Sequence, residues 1–99
     1  MDQRKVVIMV RATDSIAAIA EYLSTKGLPT TAERFIDAAY KFMYKLGDPL
    51  KRHPICRDPE RARLLLKCVS YKKKYTVVFS ESSTTIIIQD FILSSWIYW

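Results

Sequence analysis

The feature that most constrains the fold is a change of hydrophobic period near residue 62. Upstream of it, apolar residues recur every three or four positions; downstream, they come in short β-branched and aromatic runs. The first spacing builds one face of a helix and the second builds strands. "TDSIAAIAEYLSTKG" carries Ile16, Ile19, Ala20 and Leu23 at i, i+3, i+4 and i+7, a single apolar stripe. Thr13 or Asp14 is the expected N-cap, since either side-chain oxygen accepts a free first-turn amide. Gly27 is the expected stop, since glycine takes the left-handed cap conformation without a steric penalty. "LPTTAERFIDAAYKFMYKLGDP" holds helical spacing through Ala32, Phe35, Ile36, Ala39, Phe42, Met43 and Leu46. Thr30 and Glu33 stand at capping-box spacing, and Gly47 and Pro49 close the helix. The short link between the two helices predicts an antiparallel hairpin.

"KVVIMV" (5–10) reads as a strand buried on both faces, and the proline-rich "PLKRHPICRDPER" (49–61) as a loop crossing the molecule. "RLLLKCVSY" (63–71), "KYTVVFSE" (74–81) and "TTIIIQDFIL" (84–93) read as strands. Tight turns at "KK" and "SS" join them into an antiparallel meander. The expected fold is α+β in the order β-α-α-β-β-β. A helical hairpin packs on one face of a twisted, mainly antiparallel sheet and leaves the other face partly open. With 99 residues the chain is read as one domain, 1–99.

Charge narrows the partners. Residues 51–75 hold nine Lys or Arg against Asp58 and Glu60, so this quarter carries +7 of the chain's net +6, and the remainder is −1. A field of that kind attracts polyanions, although the same charges also serve simply to solvate a face. No apolar run reaches 18 residues and the N-terminal one spans five, so neither a membrane span nor a signal peptide is expected, and the chain is read as cytoplasmic. Cys56 and Cys68 lack partner ligands at metal spacing, and one histidine does not complete a zinc set. They read as unpaired thiols in preference to a disulfide, with no metal and no cofactor. His53, between Arg52 and Pro54, reads as a surface residue.

Glycine-rich phosphate loops, G-x-S-x-G and H-E-x-x-H are all absent from the sequence. One metal-free chemistry fits the composition: cleavage of RNA by cations that hold the scissile phosphate, with a phenol or base moving protons. Arg61, Arg63 and Lys67, followed by Lys72, Lys73, Lys74 and Tyr75 at the next turn and by Tyr98, are the residues for it, lining the open sheet face.

The stretches "IMVRATDSIAAIAEYL", "GLPTTAERFIDAAYKFMYKL" and "RDPERARLLLKCVSYKKKYTVVFSESSTTIIIQDFI", in this order, resemble the RelE/ParE superfamily of bacterial type II toxins over almost the full length. The resemblance implies a toxin neutralised by a cognate acidic antitoxin. RelE-like members cut mRNA on the ribosome; ParE-like members inhibit DNA gyrase. For the nuclease, Arg63, Lys67, Lys74 and Tyr98 would be catalytic; for target or nucleic-acid binding, Arg57, Arg61, Lys72 and Lys73 are the candidates. The end of the last strand favours gyrase. Leu93 stands where nuclease members commonly carry His, and Trp96 where they carry Arg. A non-catalytic nucleic-acid-binding module and a degenerate toxin are the alternatives from other classes.

The chain closes on "SSWIYW". Phe91, Trp96, Ile97 and Trp99 are expected to form an interface, with the antitoxin or in a homodimer, or else to complete the chain's own core.

Overall fold

A computed structural model describes residues 3–96, with Trp96 described by its backbone alone. Strand β1 (Lys5–Ile8) leads into helices α1 (Val10–Thr25) and α2 (Pro29–Lys45). A long crossing segment follows, containing the short helix α3 (Pro59–Arg63). Strands β2 (Lys67–Tyr71), β3 (Tyr75–Glu81) and β4 (Thr85–Leu93) come next, and then a 3-10 turn (Ser94–Trp96). The sheet order is β1-β4-β3-β2, with β2, β3 and β4 antiparallel and β1 parallel to β4. The fold is α+β, with two helices packed against a four-stranded mixed sheet.

The helices turn back on each other at Gly27, whose φ of +78° is the left-handed conformation predicted for it. Their apolar stripes meet the sheet: Ala12, Ile16, Ala39, Met43 and Leu46 pack on Tyr71, Val77, Phe79, Ile86, Ile88 and Phe91. A β-bulge sets that last choice. Val78 pairs with Asp90 but Phe79 pairs with Ile88, so Gln89 is the extra residue in β4. The extra residue shifts the parity, and Phe91 rather than Ile92 joins Ile86 and Ile88 under the helices. Phe91 then stacks on Tyr75 at 5.2 Å and meets Phe35 edge-on at 6.0 Å.

Several expectations are corrected. β1 is an edge strand with Lys5 and Val7 exposed, so it is not buried on both faces; its run is shorter because Val10 already begins α1. Neither long helix uses a side-chain cap: Met9 and Leu28 hold the N-cap positions, and Pro29 opens α2. Proline preorganises a first turn whose amide would be unpaired in any case, which moves the start ahead of the Thr30–Glu33 box. Strand β2 begins at Lys67, because Arg61 and Arg63 lie in α3. The expected partly open second face of the sheet is present. The crossing segment covers part of it, where Cys56, Leu66, Cys68, Val78 and Ile92 form a second, smaller cluster.

The cysteines are paired, not free: Cys56 and Cys68 form a disulfide. Residues 54–56 run antiparallel along the outer edge of β2, through an Ile55–Lys67 bridge and Cys56 N–H donating to Leu66 O at 2.9 Å. That pairing brings the two Cα atoms to 4.8 Å, within disulfide reach. Sequence spacing alone does not reveal it.

Candidate functional site

The residues expected to act on RNA are dispersed. Val69 and Tyr71 face the helices with Val77, Phe79 and Tyr75, and Lys67 shares their side of β2. Lys67 and Tyr75 therefore lie on the helix-covered side, not on the open one. Lys67 opens β2 and lies beside Glu81, whereas Lys74 stands in the turn beyond the other end of that strand. Lys67 Nζ is thus turned toward a carboxylate on the helix-covered side, while Lys74 is exposed at the turn. On α3, Arg61 is ion-paired with Asp58, and Arg63, largely exposed, with Glu60 at 2.9 Å. Arg57 is exposed on the crossing segment.

Lys72 and Lys73 form the exposed tip of the β2–β3 hairpin with φ of 52° and 62°. Three residues, 72–74, link the paired Tyr71 and Tyr75, and the first two take a left-handed conformation more usually held by Asn or Gly. The Lys72 ammonium lies 5.5 Å from the Tyr71 ring and that of Lys74 5.6 Å from Tyr75. Of the expected interface residues, Phe91 is 1% exposed and belongs to the chain's own core. The side chain of Trp96, together with Ile97, Tyr98 and Trp99, lies outside the described residues.

A polar centre that the sequence reading did not anticipate sits where α2, the crossing segment and the end of β3 converge. Arg4, 4% exposed, donates to Glu81 Oε2 at 2.9 Å and to the carbonyls of Ser82, Leu46, Asp48 and Lys51. His53, expected at the surface, is largely buried: its Nδ1 lies 2.7 Å from Glu81 Oε2 and its ring meets Phe79 edge-on at 5.1 Å. Lys67 Nζ is 4.0 Å from Glu81 Oε1. Burial pushes the Glu81 carboxyl up, but hydrogen bonds from His53 and Arg4 and the charge of His53 outweigh it and hold its pKa below the ordinary value. The one signal in the sequence is parity. Glu81 continues the alternation Tyr75, Val77, Phe79 onto the core side, where a carboxylate requires a partner. This centre fastens three segments together and turns its groups inward, so it serves architecture rather than substrate.

An apolar groove of about 380 Å³ lies between α1 and the ends of β3 and β4. Ala18, Ile19 and Tyr22 form one wall, Tyr75, Phe91 and Leu93 the other, and Lys74 stands at its rim. Cavities of this size accept a few bulky side chains. With Lys72 and Lys73 at the adjoining hairpin tip, the rim is strongly cationic.

Among the described residues no group of His, Cys, Asp or Glu is arranged to hold a metal ion, and no helix is long and apolar enough to cross a membrane. No family model matches the chain, and no curated protein or solved structure is significantly similar to it.

Proposed function

We propose that the chain is the toxin of a bacterial type II toxin–antitoxin pair of the RelE/ParE kind, and that it is a ParE-like cytoplasmic inhibitor of DNA gyrase. The observation that carries the choice of target is the environment of Leu93. This residue ends β4 and lines an apolar groove, at the position where the resembling nucleases carry a proton-transferring histidine. An aliphatic side chain neither donates nor accepts a proton, and Lys67, set on the helix-covered side beside Glu81, is drawn away from a substrate phosphate. The order of the elements and the helical hairpin on one sheet face support the toxin reading as a whole.

The acidic antitoxin fits the groove. A segment that orders on binding would seat apolar side chains between Ile19 and Leu93 while its carboxylates face Lys72–Lys74. Charge would speed association and the apolar contacts would hold the complex.

Controlled expression in a bacterial host tests this reading. Gyrase inhibition gives filamentous cells and a DNA-damage response. Rapid arrest of translation, with mRNA cut at the ribosomal A site, would establish the nuclease instead, and Arg63, Lys67, Lys74 and Tyr98 would then be the residues to substitute. Growth that is unaffected by expression would leave neither toxin reading standing.

A further inference from the structure

The disulfide sits in an unusual mechanical position. The crossing segment 49–66 runs from the end of α2 around the outer edge of β2 and onto the second face of the sheet. Along its whole length only Cys56 and Leu66 are fully buried, with His53 largely so. Its other apolar residues point outward: Leu50 is 81% exposed, Leu64 67% and Leu65 68%. A segment with so little buried surface gains little from packing and depends on its fastenings. These are the Arg4–Glu81–His53 centre at one end, the short pairing of residues 54–56 with β2, and the Cys56–Cys68 bond. Neither cysteine belongs to the helix-covered core. Both belong to the smaller cluster with Leu66, Val78 and Ile92.

We propose that this disulfide is a reducible latch: two-electron reduction by a dithiol frees the crossing segment from the second face of the sheet while the helix-covered core stays folded. A thiolate of the reductant attacks one cysteine sulfur, forming a mixed disulfide and releasing the other cysteine as a thiolate. The second thiol of the reductant then attacks the mixed disulfide and releases the remaining cysteine. The reductant leaves as its disulfide, and each protein sulfur takes up one proton. Both cysteines are nearly fully buried, at 3% and 2% exposure, so attack follows a local opening of the segment. Once the latch is open, Leu66, Val78, Ile92 and the outer edge of β2 lose their cover. An apolar patch beside an unpaired strand edge is a surface that proteases and partners engage. A compartment kept reduced by cellular dithiols would hold the latch open, and an oxidising one would hold it closed.

The segment carries its own reporters, because Lys51, Arg52, Arg57, Arg61 and Arg63 are trypsin sites. The test compares the full chain, oxidised and reduced with dithiothreitol, by limited trypsin digestion, thiol titration and far-ultraviolet circular dichroism. The expected result is release of two thiols per chain, cleavage within 51–63 at least tenfold faster, and an unchanged helical signal. A chain in which both Cys56→Ser and Cys68→Ser have been made should be cleaved at the fast rate with or without dithiol. Equal cleavage in the two redox states, or absence of released thiols, would overturn the proposal. So would loss of the helical signal together with the segment's protection, since that would make the bond a staple of the whole fold.

Discussion

Arg4 and Glu81 are separated by 77 residues in sequence and meet at 2.9 Å with only 2% and 5% of their side chains exposed. Arg4 lies just ahead of β1 and Glu81 ends β3, so the pair ties the entry to β1 to the β3–β4 turn. The carbonyls of Leu46, Asp48 and Lys51 converge on the same guanidinium and fix the exit from α2. Breaking a buried pair leaves the surviving charge without compensation. Arg4→Met should therefore lower stability by about 3–5 kcal/mol. Adding Glu81→Leu to it should cost less than the sum of the two single changes, read by urea denaturation in a double-mutant cycle. Additive losses would mean that the two groups do not interact.

Acid should weaken the same centre. Glu81 has a depressed pKa in the folded chain against an ordinary value of 4.5, with burial opposed and outweighed by the bonds to His53 and Arg4. A carboxylate depressed on folding contributes stability that is fully present above its unfolded value and is lost as pH falls through the folded one. The melting temperature should then decline as the solution is acidified from 4.5 downward. The Glu81→Gln variant should show a shallower decline over that window. A variant with the same slope as the parent would assign the acid sensitivity to other carboxylates.

Gly47 marks a close approach. A Cβ there would lie 2.8 Å from Arg4 O and 2.7 Å from Gln3 Nε2, and Gly47 O accepts the Arg4 amide at 2.9 Å. The amide side chain of Gln3 can swing away, but the backbone carbonyl cannot move without disturbing β1. Gly47→Ala should cost about 1–3 kcal/mol, the usual range for overpacking. Thermal unfolding that leaves the melting temperature unchanged would show that β1 yields easily.

The hairpin tip separates stability from binding. Lys72 and Lys73 hold left-handed conformations at φ of 52° and 62°, which disfavour side chains with a Cβ. Replacing the pair by Asn-Gly should raise stability by about 1–2 kcal/mol. It also removes two of the three contiguous lysines at the rim of the groove, so association with an acidic antitoxin should slow and become less dependent on salt. Isothermal denaturation and association kinetics read the two effects separately.

Much of the architecture was legible in the residues. The stripes of Ile16 and Ala20 and of Ala39 and Met43 fixed the helices and their buried faces. The "KK" and "SS" turns fixed the meander, because local spacing and turn chemistry decide such features. What escaped depends on residues distant in sequence. The parallel pairing of β1 with β4, the Gln89 bulge and the partnership of Arg4 with Glu81 all arise from tertiary placement. The disulfide is hidden for the same reason: a twelve-residue spacing says nothing about the bridge of Ile55 to Lys67 that aligns the two sulfurs. The candidate nuclease set read well as a list, but it dispersed once Arg61 and Arg63 took their places in α3 and Lys67 turned toward Glu81.

The most direct measurement of the functional reading is a supercoiling assay with purified bacterial DNA gyrase, relaxed plasmid and the purified chain. The account predicts dose-dependent loss of supercoiling, relieved by the acidic antitoxin, with no cleavage of ribosome-bound mRNA at matching concentrations. Unimpaired gyrase alongside mRNA cut at the ribosomal A site would contradict it.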